Sequence, residues 1–99
     1  MIRHVVCLTW SVDATPADVE AVRAGLVALP GQIPEIRSYA VGSDLSVVDG
    51  NADFAIVADF DDVAAWRRYQ EHPAHQAVLT ERIRPILASR AAVQHELRA

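Results

Sequence analysis

The order of its apolar-patterned segments most narrows the folds open to this chain: strand, helix, strand, strand, helix, strand. Residues 2–11 (IRHVVCLTWS) are rich in β-branched residues and predict a first strand. Alternation places Ile2, His4, Val6, Leu8 and Trp10 on one face, and Arg3, Val5, Cys7, Thr9 and Ser11 on the other. The first face is apolar apart from His4, its one titratable residue, so it is expected to be buried. Thr15-Pro16-Ala17-Asp18 then announces a helix. Thr15 suits the cap, Pro16 the first helical position, and Asp18 the positive end of the helix dipole. Val19, Val22, Leu26 and Leu29 follow as one apolar stripe, which Pro30-Gly31 stops.

Residues 36–41 read as a second strand and 54–60 (FAIVADF) as a third. Asp49-Gly50-Asn51 between them is a turn signal, so the two strands are expected to form a hairpin with a long connection. Asp61 and Asp62 can cap a helix over 62–71 that carries Val63, Trp66 and Tyr69. Proline disfavours helical geometry in the residue before it, so the helix should break at His72 and restart at Pro73. The new segment sets His75, Leu79, Ile83 and Ile86 on one stripe, and Pro85 should kink or narrow its last turn. Residues 91–97 (AAVQHEL) predict a short final strand. The order β-α-β-β-α-β, with the second helix broken, is that of the ferredoxin-like α+β fold: an antiparallel four-stranded sheet with helices on one face. The other face still needs covering.

At 99 residues the chain makes one domain, 1–99. A hydrophobic fraction of 52% with 22% charged residues is that of a globular protein. Nine Arg (and no Lys) against 13 acidic residues leave a net charge of −4 without a basic cluster, which speaks against nucleic-acid binding. No apolar run approaches the ~20 residues of a membrane span, and Met1-Ile2-Arg3-His4 opens no signal-peptide core. Cys7 is the single cysteine, so an internal disulfide is impossible. The expectation is a soluble cytoplasmic protein. A domain this small buries a modest share of its surface, and a ligand cavity subtracts further, so a cavity-bearing version tends to need a second subunit.

The opening Met1-Ile2-Arg3-His4-Val5-Val6, the middle Gly50-Asn51-Ala52-Asp53-Phe54 and the segment His72-Pro73-Ala74-His75-Gln76-Ala77-Val78 resemble the stress-responsive A/B barrel (Dabb) family, over residues 2 to about 97. The resemblance implies a dimeric α+β barrel in which two four-stranded sheets close face to face, a homodimer that covers the open sheet face. Family members include plant stress proteins, bacterial proteins of unknown role, and a plant polyketide cyclase, olivetolic acid cyclase. The cyclase's working residues correspond to His4, Tyr69 and His75, and all three residue types are retained. First strands of the family often carry a Lys near Thr9-Trp10-Ser11, which this chain lacks.

By pattern, both His4 and His75 point between helices and sheet. Desolvation lowers the pKa of such an imidazole and keeps it available as a base near neutral pH. The resemblance then implies His75 as the base that takes an acidic proton between two carbonyls, Tyr69 as the residue that holds His75, and His4 as the group that polarises or protonates a carbonyl oxygen. The substrate would be a small, enolisable, polyketide-like or partly apolar molecule, handled without a cofactor in cyclase, lyase or isomerase chemistry. Against this stands the plainer alternative: the histidines are hydrogen-bonded core residues of a non-catalytic stress-related or ligand-binding dimer. His72, beside Pro73, reads as a helix cap. No metal is expected, because the break at His72 spoils the helical spacing to His75 and no third ligand falls near. Cys7 lies opposite His4 with no base partner and reads as structural, inside a barrel or at a dimer contact.

Overall fold

The computed structural model describes residues 1–98. Its elements are β1 (Ile2–Trp10), α1 (Pro16–Val27), β2 (Ser38–Ser43), β3 (Phe54–Phe60), α2 (Val63–Glu71), α3 (Pro73–Val78) and β4 (Leu87–Glu96). The sheet is antiparallel throughout, in the order β2-β3-β1-β4. This is the expected ferredoxin-like fold, with β1 at the centre and β4 on the edge beside it.

The helix ends form as their sequences dictate. Thr15 and Asp18 make a reciprocal capping box, the Asp18 amide donating to Thr15 Oγ1 at 3.1 Å and the Thr15 amide to Asp18 Oδ2 at 3.0 Å. Asp62 caps α2 by accepting from the Ala65 amide at 2.8 Å, while Asp61 pairs with Arg37 instead. At His72 the backbone turns extended (φ −64°, ψ 133°), ending α2 and letting Pro73 open α3. The chain beyond α3 stays coiled through a wide π turn, Leu79–Ile83, and a tight 3-10 turn, Arg84–Ile86. The tight turn is the narrowing expected at Pro85, which can neither donate a helical hydrogen bond nor tolerate the carbonyl four residues back. The wide turn before it was not expected.

Two strand boundaries differ from expectation. β2 spans Ser38–Ser43, two residues later than 36–41, because Ile36 is held in a turn by the hydrogen bond its N–H donates to the Ile33 carbonyl. β4 begins at Leu87, four residues before 91–97, because β1 pairs with it along its whole length, from Ile2↔Glu96 to Trp10↔Leu87 across an irregularity at Thr9/Trp10. Ala88, Ser89 and Arg90 carry no β-branched signal; pairing with the central strand makes them extended.

The core lies between the helices and one sheet face. Val6, Leu8, Phe54, Ile56, Ala58 and Phe60 from the sheet meet Val22, Leu26 and Leu29 from α1 and its following turn, and Ala65, Tyr69, Val78, Ile83 and Ile86 from the second helical layer. Among the described residues, no element covers the opposite face. It presents Val5, Cys7 and Val57, flanked by Ala40, Ala55, Ala91 and Val93, small apolar groups that are half-buried or exposed.

Candidate functional site

Three elements bring the predicted residues to one place. His4 sits in mid-β1 on the helix-facing side, where its cross-strand partners are Ala58 and Gln94. Tyr69 comes from the last turn of α2, and His75 from the first turn of α3, just after the break. All three are buried, with 3%, 1% and 5% of their surfaces exposed, and all three line a cavity of about 230 Å³. The walls are apolar (Val6, Leu8, Leu26, Ile56, Leu79, Ile83 and Leu87), while Gln70, Arg84 and Arg90 supply further polar groups. Residues 88–96 of β4 are exposed, and Leu87 and Arg90 of this strand are part of the cavity lining.

The hydrogen bonds give the two imidazoles complementary forms. His75 Nδ1 lies 3.2 Å from the Gln70 carbonyl oxygen, to which only a protonated nitrogen can donate, so Nε2 of the neutral ring keeps a free lone pair. His4 Nδ1 lies 2.9 Å from the Gln94 side-chain nitrogen, which donates to it, so Nε2 of the neutral ring carries the proton. Both rings are held neutral. Burial is the main reason that His4 is lowered to about 4, helped by the positive charge of Arg90 and by His75. Burial likewise lowers His75, with His72 adding to the effect and the Gln70 carbonyl opposing it. The cavity therefore holds one acceptor and one donor nitrogen at neutral pH.

Tyr69 does not meet His75 through its hydroxyl. That hydroxyl shares a 2.8 Å hydrogen bond with the hydroxyl of Tyr39, while its ring lies against the imidazole with centroids 4.2 Å apart and a 40° tilt. Burial raises both phenols far enough to keep them neutral. Tyr69 also packs edge-on to His4 at 6.2 Å, and Trp66 approaches the same ring at 5.8 Å. His72 is a cap, its Nδ1 accepting from the Ala74 amide at 3.0 Å. Among the described residues, no three His, Cys, Asp or Glu side chains converge as a metal set would.

The sequence profile of the stress-responsive A/B barrel domain matches residues 2–96. The chain belongs to this family. Among its relatives is an uncharacterized protein of Streptomyces coelicolor, 41% identical over 80 residues that span 78% of this chain and 81% of the other. A dimeric ferredoxin-like protein of unknown function from Thermobifida fusca is 48% identical, with a TM-score of 0.91 over 97% of this chain and 90% of its own. The hydroxynitrile lyase of Passiflora edulis shares the fold at 17% identity, with a TM-score of 0.85 over 98% and 93% of the two chains.

Four parts of this Dabb site are not visible in the sequence pattern: Gln94 on His4, Tyr39 on Tyr69, the Gln70 carbonyl on His75, and Arg90 in the cavity wall. Gln94 and Arg90 carry one available signal. Both fall on the helix-facing side of β4, opposite His4 and Leu8, once that strand is registered against β1.

Proposed function

We propose that this Dabb protein is a homodimer whose His4/His75 cavity binds a small, partly apolar, carbonyl-bearing molecule and performs cofactor-independent proton transfer on it. The observation that carries this reading is the pair of neutral imidazoles with opposite open nitrogens on one cavity. His75 Nε2 accepts the proton from a carbon next to the carbonyl. The electron pair of that C–H bond forms the carbon–carbon double bond of an enolate, while the C=O π pair moves onto the oxygen, which accepts a hydrogen bond from His4 Nε2–H. Tyr69 acts as the wall that sets the His75 ring, its own position fixed through Tyr39. Positioned acid–base groups of this kind contribute about 10²–10⁴-fold in rate. A cyclase, lyase or isomerase can all begin with this step, and the Passiflora edulis lyase indicates that the fold accommodates catalysis.

Size sets a bound on the ligand. Pockets for drug-sized molecules run from roughly 300 to 1,000 Å³, whereas this cavity offers about 230 Å³. That favours a short enolisable molecule, or the reacting end of a longer one, over an enclosed polyketide chain. Homodimer formation is supported by the open apolar sheet face and by the dimeric relative from Thermobifida fusca. A cytoplasmic location is in keeping with the free Cys7, and among the described residues no helix is long and apolar enough to cross a membrane.

One observation favours a second reading, a ligand-binding dimer without turnover: His75 is tied to a backbone carbonyl, as a purely structural histidine can be. The test is a thermal-shift titration with the β-diketone pentane-2,4-dione, comparing the wild type with His75→Ala. Stabilisation of the wild type that weakens in the variant supports the ligand site, and proton–deuterium exchange at the central carbon of the diketone supports the base. Binding without exchange supports the second reading. A variant that is merely less stable, with no binding in either protein, overturns both.

A further inference from the structure

Five of the nine arginines are held in ion pairs, and Arg82 donates to the Ala21 carbonyl at 2.7 Å. Among the described residues, Arg67, Arg84 and Arg90 have neither a carboxylate nor a hydrogen-bond partner. Two of these three, Arg84 and Arg90, line the same cavity as His4 and His75. This is notable in a chain with 13 acidic residues and a net charge of −4, where pairing partners are plentiful. Arg84 comes from the tight turn before β4. Arg90 comes from β4 itself, opposite buried Leu8 and so on the helix-facing side of the sheet. Both are exposed, whereas the histidines are buried. Leu79 and Leu87, partly buried, are apolar lining of the same cavity.

The cavity therefore has an apolar body, two buried neutral imidazoles and two uncommitted, exposed guanidiniums among its lining. A guanidinium binds a carboxylate through paired N–H···O bonds, and an apolar wall carries a short hydrocarbon spacer. We propose that the preferred ligand is a small keto acid, its carboxylate held by Arg84 and Arg90 and its carbonyl placed between His4 and His75. This rests on the reading of the histidine cavity as the ligand site and adds to it the charge and class of the molecule bound. That Arg90 lies close enough for its charge to act on His4 fits a ligand spanning both.

Calorimetric titration of the wild-type protein with 4-oxopentanoate, its methyl ester and pentane-2,4-dione tests the assignment, alongside Arg84→Gln/Arg90→Gln and His75→Ala. The keto acid should bind about tenfold more tightly than its ester, a charge-assisted contact discounted for solvent exposure. That advantage should vanish in the double arginine variant and, in the wild type, shrink as salt rises. Equal affinity for acid and ester overturns the assignment, as does displacement of the acid by inorganic phosphate at the same concentration. In either case the histidine site still stands if the diketone binds and His75→Ala weakens it. If none of the three probes binds the wild type, the histidine site and the keto-acid assignment fall together.

Discussion

Protonation of His4 should make the fold acid-sensitive well above the range where carboxylates titrate. In the unfolded chain His4 has its ordinary value of 6.5; in the fold it is lowered to about 4. Above pH 6.5 both states hold the ring neutral, and pH has no leverage. Between 6.5 and about 4 only the unfolded chain takes up the proton, so stability falls as pH falls. Below about 4 the folded chain is protonated too and the loss levels off. At 1.36 kcal/mol per pKa unit, the part of this loss between pH 7 and pH 5 comes to about 2 kcal/mol. The group is 3% exposed but faces a cavity, so this figure is an upper bound on the effect. His75, also lowered by burial, adds loss of the same sign. Urea unfolding followed by tryptophan fluorescence at pH 7 and pH 5, at one fixed protomer concentration, measures it. His4→Gln removes the titrating ring and should flatten the pH dependence by about that amount, leaving the share due to His75. A variant whose stability falls as steeply as the wild type's would refute the placement of His4 as a buried neutral base.

Tyr39→Phe takes away the partner of the buried Tyr69 hydroxyl and should cost about 1–2 kcal/mol in urea unfolding; no loss would mean that the hydroxyl finds another partner as good. Val57→Glu puts a charge in the middle of the open apolar sheet face, between Val5 on β1 and Ala40 on β2. It should convert the dimer to monomer in sedimentation experiments, and an unchanged dimer would move the interface elsewhere.

Period and punctuation made the elements legible, because each element's own residues decide its period and its caps. Alternation put His4 on the buried face, helical spacing put His75 on the same side, and Pro73 marked the break that places His75 just beyond Tyr69. What stayed hidden depends on register. Gln94 and Arg90 reach His4 and the cavity only because β4 pairs with β1 from Leu87 onward, and Ala88-Ser89-Arg90 carry no strand signal of their own. Tyr39 meets Tyr69 across a hairpin and a helix, 30 positions apart. The Gln70 carbonyl is backbone, bound by His75 only because the chain unwinds at His72. Tyr69, expected to hold His75, lies against it through its ring, with its hydroxyl turned to Tyr39.

Nitrogen NMR of the protein labelled at its histidine rings, with and without pentane-2,4-dione at pH 7, reads the protonation of both imidazoles and their response to a ligand. Two neutral rings are expected in the free protein, His75 protonated at Nδ1 and His4 at Nε2, with both Nε2 resonances moving as the diketone binds. Either ring in the other tautomer, or both rings unmoved at saturating ligand, would contradict the pairing of His75 as base with His4 as donor.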